Sequence, residues 1–379
     1  MKFVRIALDV PLDTLFDYRV DANSDAEVGS LVLVPFSKKI LVGVVVEIAG
    51  TSALLPARLR SVIEVLHEFP RLPADVIAVL RFCSHYYHHP IGEVVLNALP
   101  TRLRRRNAVK SPIAAYRLTE AGRKIGTEDL SPRAKLQMEL MRRLKAADAG
   151  IDAEALSRQL PRASAVLKQM IERGWVETFT PARDALLHTP PRVLPGPTLT
   201  AAQQVAVNSI LPTLGRFATW LLHGITGSGK TEVYLELIAA TLANRKQALL
   251  LVPEINLTPQ LEARIQSRFP DTPIVRLNSA LNESERLRNW LAAQSGGAGI
   301  VLGTRLAVFT PLPNLGLIIV DEEHDPSFKQ GDGLRYSARD IALFRAKQRN
   351  IPAVLGSATP ALESYHQAQR GRYSMLTLA

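Results

Sequence analysis

Eight residues from Gly224 to Thr231, Gly-Ile-Thr-Gly-Ser-Gly-Lys-Thr, keep the spacing Gly-x-x-x-x-Gly-Lys-Ser/Thr. Gly224, Gly227 and Gly229 let the backbone curl, so that the N–H groups of Ile225, Thr226 and Ser228 face a phosphate. A helix that starts there aims its positive end at the same anion. Lys230 then reaches the β- and γ-phosphates, and Thr231 ligates Mg²⁺. A second set of residues, Leu317 to His324 (LIIVDEEH), places acids after an apolar run. Asp321 is suited to hold Mg²⁺ through water, and Glu322 to orient or deprotonate an attacking water. Such a run alone is also an ordinary strand end. About ninety residues after a phosphate loop it marks the other half of a nucleotide site.

These residues need a sheet to carry them. Six apolar runs, "ATWLLHG", "QALLLVPE", "PIVRLNS", "AGIVLGT", "LGLIIVDEE" and "PAVLGSATP", alternate with amphipathic stretches over residues 199–379. That alternation predicts an α/β lobe, a parallel sheet with helices on both faces. Tyr234, Leu237, Ile238, Thr241 and Leu242 share one helical face after the loop. Asn282 with Glu285 reads as a capping box, and Thr359-Pro360 as the start of the last helix.

Upstream, residues 1–110 show short alternating runs, "KFVRIAL", "SLVLVPF" and "LVGVVVEIA", punctuated by Gly29 and by Phe36 to Lys39. They predict a small β-rich domain. "PADVIAVLRFCSHYYHHP" reads as a helix stopping at Pro90. His85, His88 and His89 lack the carboxylates or cysteines of a metal site and are read as packing and turn residues. Arg102 to Arg106 is a basic linker that also suits phosphate contacts. Residues 111–188 read as helix, helix and strand, with Ser131 as N-cap and Pro132 at N1. Closed by Gly174-Trp-Val-Glu, they have the outline of a winged helix. Residues 189–198 are proline-rich and predict a stiff extended linker.

Composition narrows the partners. Hydrophobic residues make up 47% and charged residues 21%, as in an ordinary globular protein. A net charge of +11 favours a polyanion, nucleic acid above all. No signal peptide or membrane span is legible, which fits a cytoplasmic protein with no membrane partner. Cys83 is the only cysteine, so a disulfide within the chain and a cysteine-rich zinc site are both excluded.

The motifs resemble those of superfamily 2 helicases. Asp-Glu-Glu-His after a strand looks like motif II, and Gly356 to Pro360 like motif III, which couples nucleotide to DNA through His324, Gly356, Ser357, Ala358 and Thr359. "VPEINLTPQ" resembles motif Ia, and Gly303 to Arg305 motif Ib, with Thr304 and Arg305 as DNA contacts. Gln203, in "LTAAQQ", stands where these enzymes place an adenine-contacting Gln. Together with "DEEHDPSFKQGDGLRYSARD", "GSATPALES", "VPLDTLFDYRV" and "YYHHPIGEVVLNALP", the motifs resemble the primosomal protein N′ (PriA) family of replication-restart helicases, from residue 1 to 379. The resemblance implies a first domain that binds the 3′ end of a nascent strand, a winged helix, and an ATP-driven 3′→5′ helicase that uses Mg²⁺.

It also implies forked and single-stranded DNA as partners, beside other primosome proteins, the single-stranded-DNA-binding protein and the replicative helicase loader. Phe16 and Asp17 match the 3′-end pocket, the ring for a base and the carboxylate for a sugar hydroxyl. Arg60 stands where the family often has Lys, and Ser37 where it has Gly. Phe328 to Tyr336 looks like the DNA-sensing aromatic-rich loop, with Phe328 and Tyr336 stacking on bases and Lys329 and Arg335 holding phosphates. The family's second lobe and zinc module, with its cysteine ligands, have no counterpart in this sequence. Two readings follow: a DNA-dependent ATPase and helicase, or a module that binds forked DNA and ATP with little hydrolysis or unwinding. A transporter-type ATPase is opposed by the basic charge and by the lack of a Leu-Ser-Gly-Gly-Gln signature.

Overall fold

A computed structural model describes residues 2–21, 24–52, 54–55, 58–67, 69–105, 115–126, 134–147, 150–152, 156, 160, 163–179 and 192–378. The chain divides into two units. One comprises Met1–Val109 and Arg183–Ala379, the other Lys110–Ala182.

The first unit opens with five antiparallel strands, β1 (Lys2–Leu8), β2 (Phe16–Val20), β3 (Leu31–Phe36), β4 (Lys39–Ala49) and β5 (Glu64–Val65), in the order β2-β1-β4-β3-β5. Alternation buries Val4, Ile6 and Leu8 of β1 against Val32, Val34 and Val45. β3 and β4 join through a two-residue turn, since Phe36 pairs with Lys39. Ser37 takes φ 51° there. A glycine meets that conformation at no steric cost. Helix α1 (Ala74–Tyr87) ends at His88, which is left-handed at φ 49°. Pro90 then opens a second helix, α2 (Ile91–Asn97), that the single predicted helix did not include. His89 Nε2 lies 2.8 Å from Glu93, one turn into α2.

The second unit is small. A sheet of β6 (Ala115–Leu118), β7 (Ile151–Asp152) and β8 (Val176–Phe179), ordered β7-β6-β8, meets helices α3 (Glu120–Lys124), α4 (Lys135–Ala146) and α5 (Ala163–Glu172). Leu118, Leu140, Met141, Leu144, Leu167, Met170 and Val176 form its core. Ser131 and Pro132, predicted to start α4, lie outside the described residues.

The remainder of the first unit is the α/β lobe. Its strands are β9 (Ala218–Gly224), β10 (Gln247–Leu251), β11 (Ile274–Leu277), β12 (Ile300–Gly303), β13 (Leu315–Val320), β14 (Pro352–Ser357) and β15 (Ser374–Leu378). They form one parallel sheet in the order β11-β12-β10-β13-β14-β9-β15. Central strands β10 and β13 are buried at every position, as a sheet covered on both faces requires. Helix α6 (Ala201–Ile210) precedes the strands, and α7 (Lys230–Ala243), α8 (Pro259–Arg268), α9 (Glu283–Gln294), α10 (Ala338–Arg349) and α11 (Leu362–Gln369) lie between them.

Four details differ from expectation. β15 is a seventh strand; it lies at the sheet edge with Ser374, Met375 and Thr377 exposed, so its apolar signal is weak. α11 starts at Leu362, not at Thr359-Pro360, and its N-cap is Ala361. The described part of the proline-rich segment is docked: Leu194 N–H donates to the Arg268 carbonyl at 2.9 Å, and the Arg268 guanidinium returns a bond to the Leu194 carbonyl. The basic run is a seam rather than a linker. Arg104 donates to the Asn97 and Leu99 carbonyls at the end of α2. Arg102 reaches Ser284 at 2.8 Å, and Arg105 lies 3.7 Å from Glu283, both at the start of α9. Arg106 lies outside the described residues.

Candidate functional site

Parallel strands deliver their carboxyl ends to one edge of the sheet, and ligands bind there. At that edge β9 runs into the phosphate loop and β13 into Asp321, while β14, which ends at Ser357, lies between them. β12 ends at Gly303 and leads into Thr304 and Arg305. Apart from Gln203, which lies on α6 ahead of β9, the predicted nucleotide and coupling residues therefore meet at one place. The fold brings them together because the motifs follow strands rather than precede them.

Gly227 and Gly229 take φ 87° and 83°, which turns the loop back onto the start of α7. Ile225, Thr226 and Gly227 are exposed at its tip, and Thr231 is half-buried behind it. Lys230 is buried, with Nζ 2.8 Å from the Gly224 carbonyl and 3.4 Å from Glu322 Oε1. Asp321 is half-buried and its carboxyl is raised above the usual range by burial, while the hydroxyl of Tyr234 and the charge of Lys230 pull it back. Glu322 stands at φ 46°, a left-handed conformation that a residue with a Cβ holds at a cost of about 1–3 kcal/mol. A cradle of backbone N–H groups, one buried ammonium and two adjoining carboxylates is a donor set that fits a nucleotide triphosphate with Mg²⁺.

Gln203 sits differently from a free base-reading side chain. Its Oε1 accepts from the Thr200 N–H at 2.8 Å, and its Nε2 donates to the Ser228 carbonyl at 3.0 Å. It thus caps α6 and braces the phosphate loop from outside, with one N–H and one lone pair left for a base.

The predicted coupling residues are wired to the acids. Ser357 Oγ lies 2.7 Å from His324 Nδ1 and accepts from the Thr359 N–H at 3.0 Å. His324 Nδ1 is also 3.6 Å from Glu322. The third acid, Glu323, is only 2% exposed and takes no part in the cleft. Its carboxylate accepts from the Ala361 N–H and the Ser364 hydroxyl at 2.7 Å each, and from Arg339 at 3.1 Å. A residue of the acidic motif thereby caps the helix that follows Ala358 and Thr359.

On the DNA side, the structure corrects the stacking expectation. Phe328 and Tyr336 are each 3% exposed, and Tyr336 packs edge-on against Phe309 at 4.9 Å. Neither offers a ring face to a base, because the loop folds inward on its aromatics. Lys329 and Arg335 of the same loop are exposed. Arg305 donates to the carbonyls of Ser327 and Lys329 at 2.8 and 3.1 Å, so it holds this loop in place, while Thr304 is buried. In the first domain a pocket of about 470 Å³ is lined by Phe16, Asp17, Tyr18, Phe36, Ser37 and Arg60, among others. Phe16 meets Phe36 edge-on at 5.1 Å. Asp17 accepts from the Ser52 hydroxyl at 2.5 Å and lies 3.4 Å from Arg5. The exposed Arg60 donates to the Ser37 carbonyl at 3.0 Å, which places its charge on the pocket rim.

Residues 5–100 match the PriA 3′ DNA-binding domain (3′BD), and residues 200–368 match the DEAD/DEAH box helicase family. The replication restart protein PriA of Haemophilus influenzae is 39% identical over the whole of this chain. The chain resembles the PriA replication restart proteins along its whole length. The PriA of Chlamydia trachomatis is 33% identical over the whole chain, and that of Bacillus subtilis 39% identical over 66% of it. The chain spans 52% of the Haemophilus protein and 51% of the chlamydial one, about half their length.

Three residues support the site without having been singled out for it. Tyr234 donates to Asp321 Oδ1 at 2.9 Å. Glu323 caps α11. Tyr87 of the first domain accepts from the Ser337 N–H at 3.2 Å, just after the loop that carries Lys329. Only Tyr234 left a signal in the sequence: at four residues past Lys230 it shares that residue's helical face.

Proposed function

We propose that this chain is the DNA-end-binding and motor portion of an ATP-dependent 3′→5′ DNA helicase of replication restart, which recognises stalled or forked DNA and initiates primosome assembly. The observation that carries the reading is the meeting of the phosphate loop, Asp321, Glu322 and the β14 coupling segment at one sheet edge, in the same compact unit as the pocket of Phe16, Asp17 and Arg60.

In this reading ATP is the substrate. The loop N–H groups and Lys230 hold its phosphates, and Glu322, half-buried beside Lys230, orients the attacking water. Mg²⁺, when bound at Asp321 and Thr231, supplies charge neutralisation on the phosphates. His324 and Ser357 pass the state of that centre to residues 356–359. Lys329 and Arg335 are the groups placed for DNA phosphates, with Arg305 as the brace of their loop. Residues 111–188, with three helices and a three-stranded sheet among the described residues, serve as a winged helix. Replicative partners such as the single-stranded-DNA-binding protein and the helicase loader belong to the same proposal, by way of the family.

The DNA-end assignment has a direct test. Binding of forked DNA is compared for a free 3′-hydroxyl and a 3′-phosphate on the nascent strand. The wild-type chain is expected to prefer the hydroxyl by about tenfold, the worth of one hydrogen bond to a charged group. Asp17→Ala is expected to bring the two ends within about twofold. Equal binding of both ends by the wild type would overturn the assignment.

A further inference from the structure

Tyr234 lies one turn past Lys230 and is 2% exposed. A buried phenol keeps its hydroxyl satisfied. Among the described residues the hydroxyl has one hydrogen-bond partner, Asp321 Oδ1, at 2.9 Å. The space around it is equally specific. A Cβ on Gly356 would stand 1.6 Å from the Tyr234 oxygen, 2.8 Å from its Cζ and 3.3 Å from Asp321 Oδ1. The backbone of β14 therefore rests directly on the hydroxyl. Three elements, α7, the end of β13 and the end of β14, meet at one oxygen atom. The Glu323 N–H, two residues past Asp321, donates to the Gly356 carbonyl at 3.0 Å, so the two strand ends are also joined through backbone.

We propose that Tyr234 is a positioning residue that fixes the carboxylate of Asp321 for Mg²⁺ and, through the close approach of Gly356, links the metal site to the coupling strand. The inference rests on the reading of Asp321 as the Mg²⁺ ligand. A phenylalanine would fill the same core volume, so packing alone gives no reason for the oxygen. With Oδ1 held by the hydroxyl, the carboxylate is kept in one orientation; without it, that side-chain hold on Oδ1 is lost. Partners behind a ligand commonly set its affinity for metal by about 10–100-fold. The contact also works in reverse. Because Gly356 touches the hydroxyl, β14 moves against α7 only by displacing the oxygen that holds Asp321. A rearrangement of residues 356–359 is thus felt at the metal without passing through the His324–Ser357 contact.

The test uses the whole chain bound to ADP and reads Mn²⁺ affinity from the loss of the free-ion resonance signal. ADP affinity in EDTA is measured alongside, and Asp321→Asn sets the scale for a lost ligand. Tyr234→Phe is expected to weaken Mn²⁺ by about tenfold while ADP affinity in EDTA stays within about twofold of wild type. Gly356→Ala is expected to do the same, since its methyl group displaces the hydroxyl. The pair Tyr234→Phe and Gly356→Ala together is expected to lose far less than the product of the two, because both break one contact. Unchanged Mn²⁺ affinity in Tyr234→Phe, with Asp321→Asn impaired, overturns the positioning role and leaves the nucleotide site standing. Multiplicative losses overturn the link to β14. Mn²⁺ affinity unaffected by Asp321→Asn removes the ligand itself, and the inference with it.

Discussion

Asp321 carries a charge that its surroundings disfavour, and this has a measurable cost. Burial raises its carboxyl pKa in the folded chain. A raised carboxyl pKa means that the folded state binds the proton more tightly than the unfolded state does. The penalty is then fully present above the folded pKa and fades as pH falls through it toward the unfolded value. Asp321→Asn is therefore expected to unfold later than wild type in EDTA at pH 7, by roughly 1 kcal/mol, a trade of stability for function. The gain is expected to shrink as pH falls toward 4, read by thermal unfolding at a series of pH values. At this scale the sequence was legible where spacing is local. The phosphate loop and the acids are contiguous motifs. Tyr234 and Asp321 are separated by 87 positions, and nothing local joins them. Phe328 and Tyr336 were misread because the residues that stack on bases are also those that fill cores, and only packing separates the two uses.

Among elements, the buried parallel strands were legible as nearly continuous apolar runs. β15 was not, since an edge strand with three exposed residues carries little pattern. The start of α11 was displaced because the N–H of its N-cap residue, Ala361, is satisfied by a remote carboxylate, Glu323, instead of by Thr359. The pairing of α2 with β1 was also illegible, though it is tight. A Cβ on Gly92 would lie 1.7 Å from the Leu8 carbonyl oxygen, with backbone on both sides of the contact. Gly92→Ala must push α2 off the sheet and is expected to destabilise the chain by about 1–3 kcal/mol. Denaturant midpoints measure this, and a loss below about 0.5 kcal/mol would mean that α2 yields easily.

At the scale of the molecule, the first domain and the α/β lobe meet along an ordered seam. Phe82 stacks on Phe344 at 3.9 Å, Gln294 donates to the Pro70 and Arg71 carbonyls at 3.0 and 2.8 Å, and Arg349 lies 3.7 Å from Asp75. Composition gave no hint of this, because a seam is built from ordinary residues placed by the fold. Its consequence is that the pocket of Phe16 and Asp17 and the nucleotide edge belong to one compact unit, in a chain whose net charge of +11 favours DNA. Among the described residues no helix is long and apolar enough to cross a membrane. The central claim is that the sheet edge turns over ATP in response to DNA. The most direct measurement is ATP turnover by this chain with and without forked DNA, beside Lys230→Ala. Turnover that rises at least about tenfold with the fork and vanishes in the variant is the expected result, since the proposed role of Lys230 is to hold the phosphates. Turnover indifferent to DNA, or surviving without the Lys230 ammonium, would contradict it.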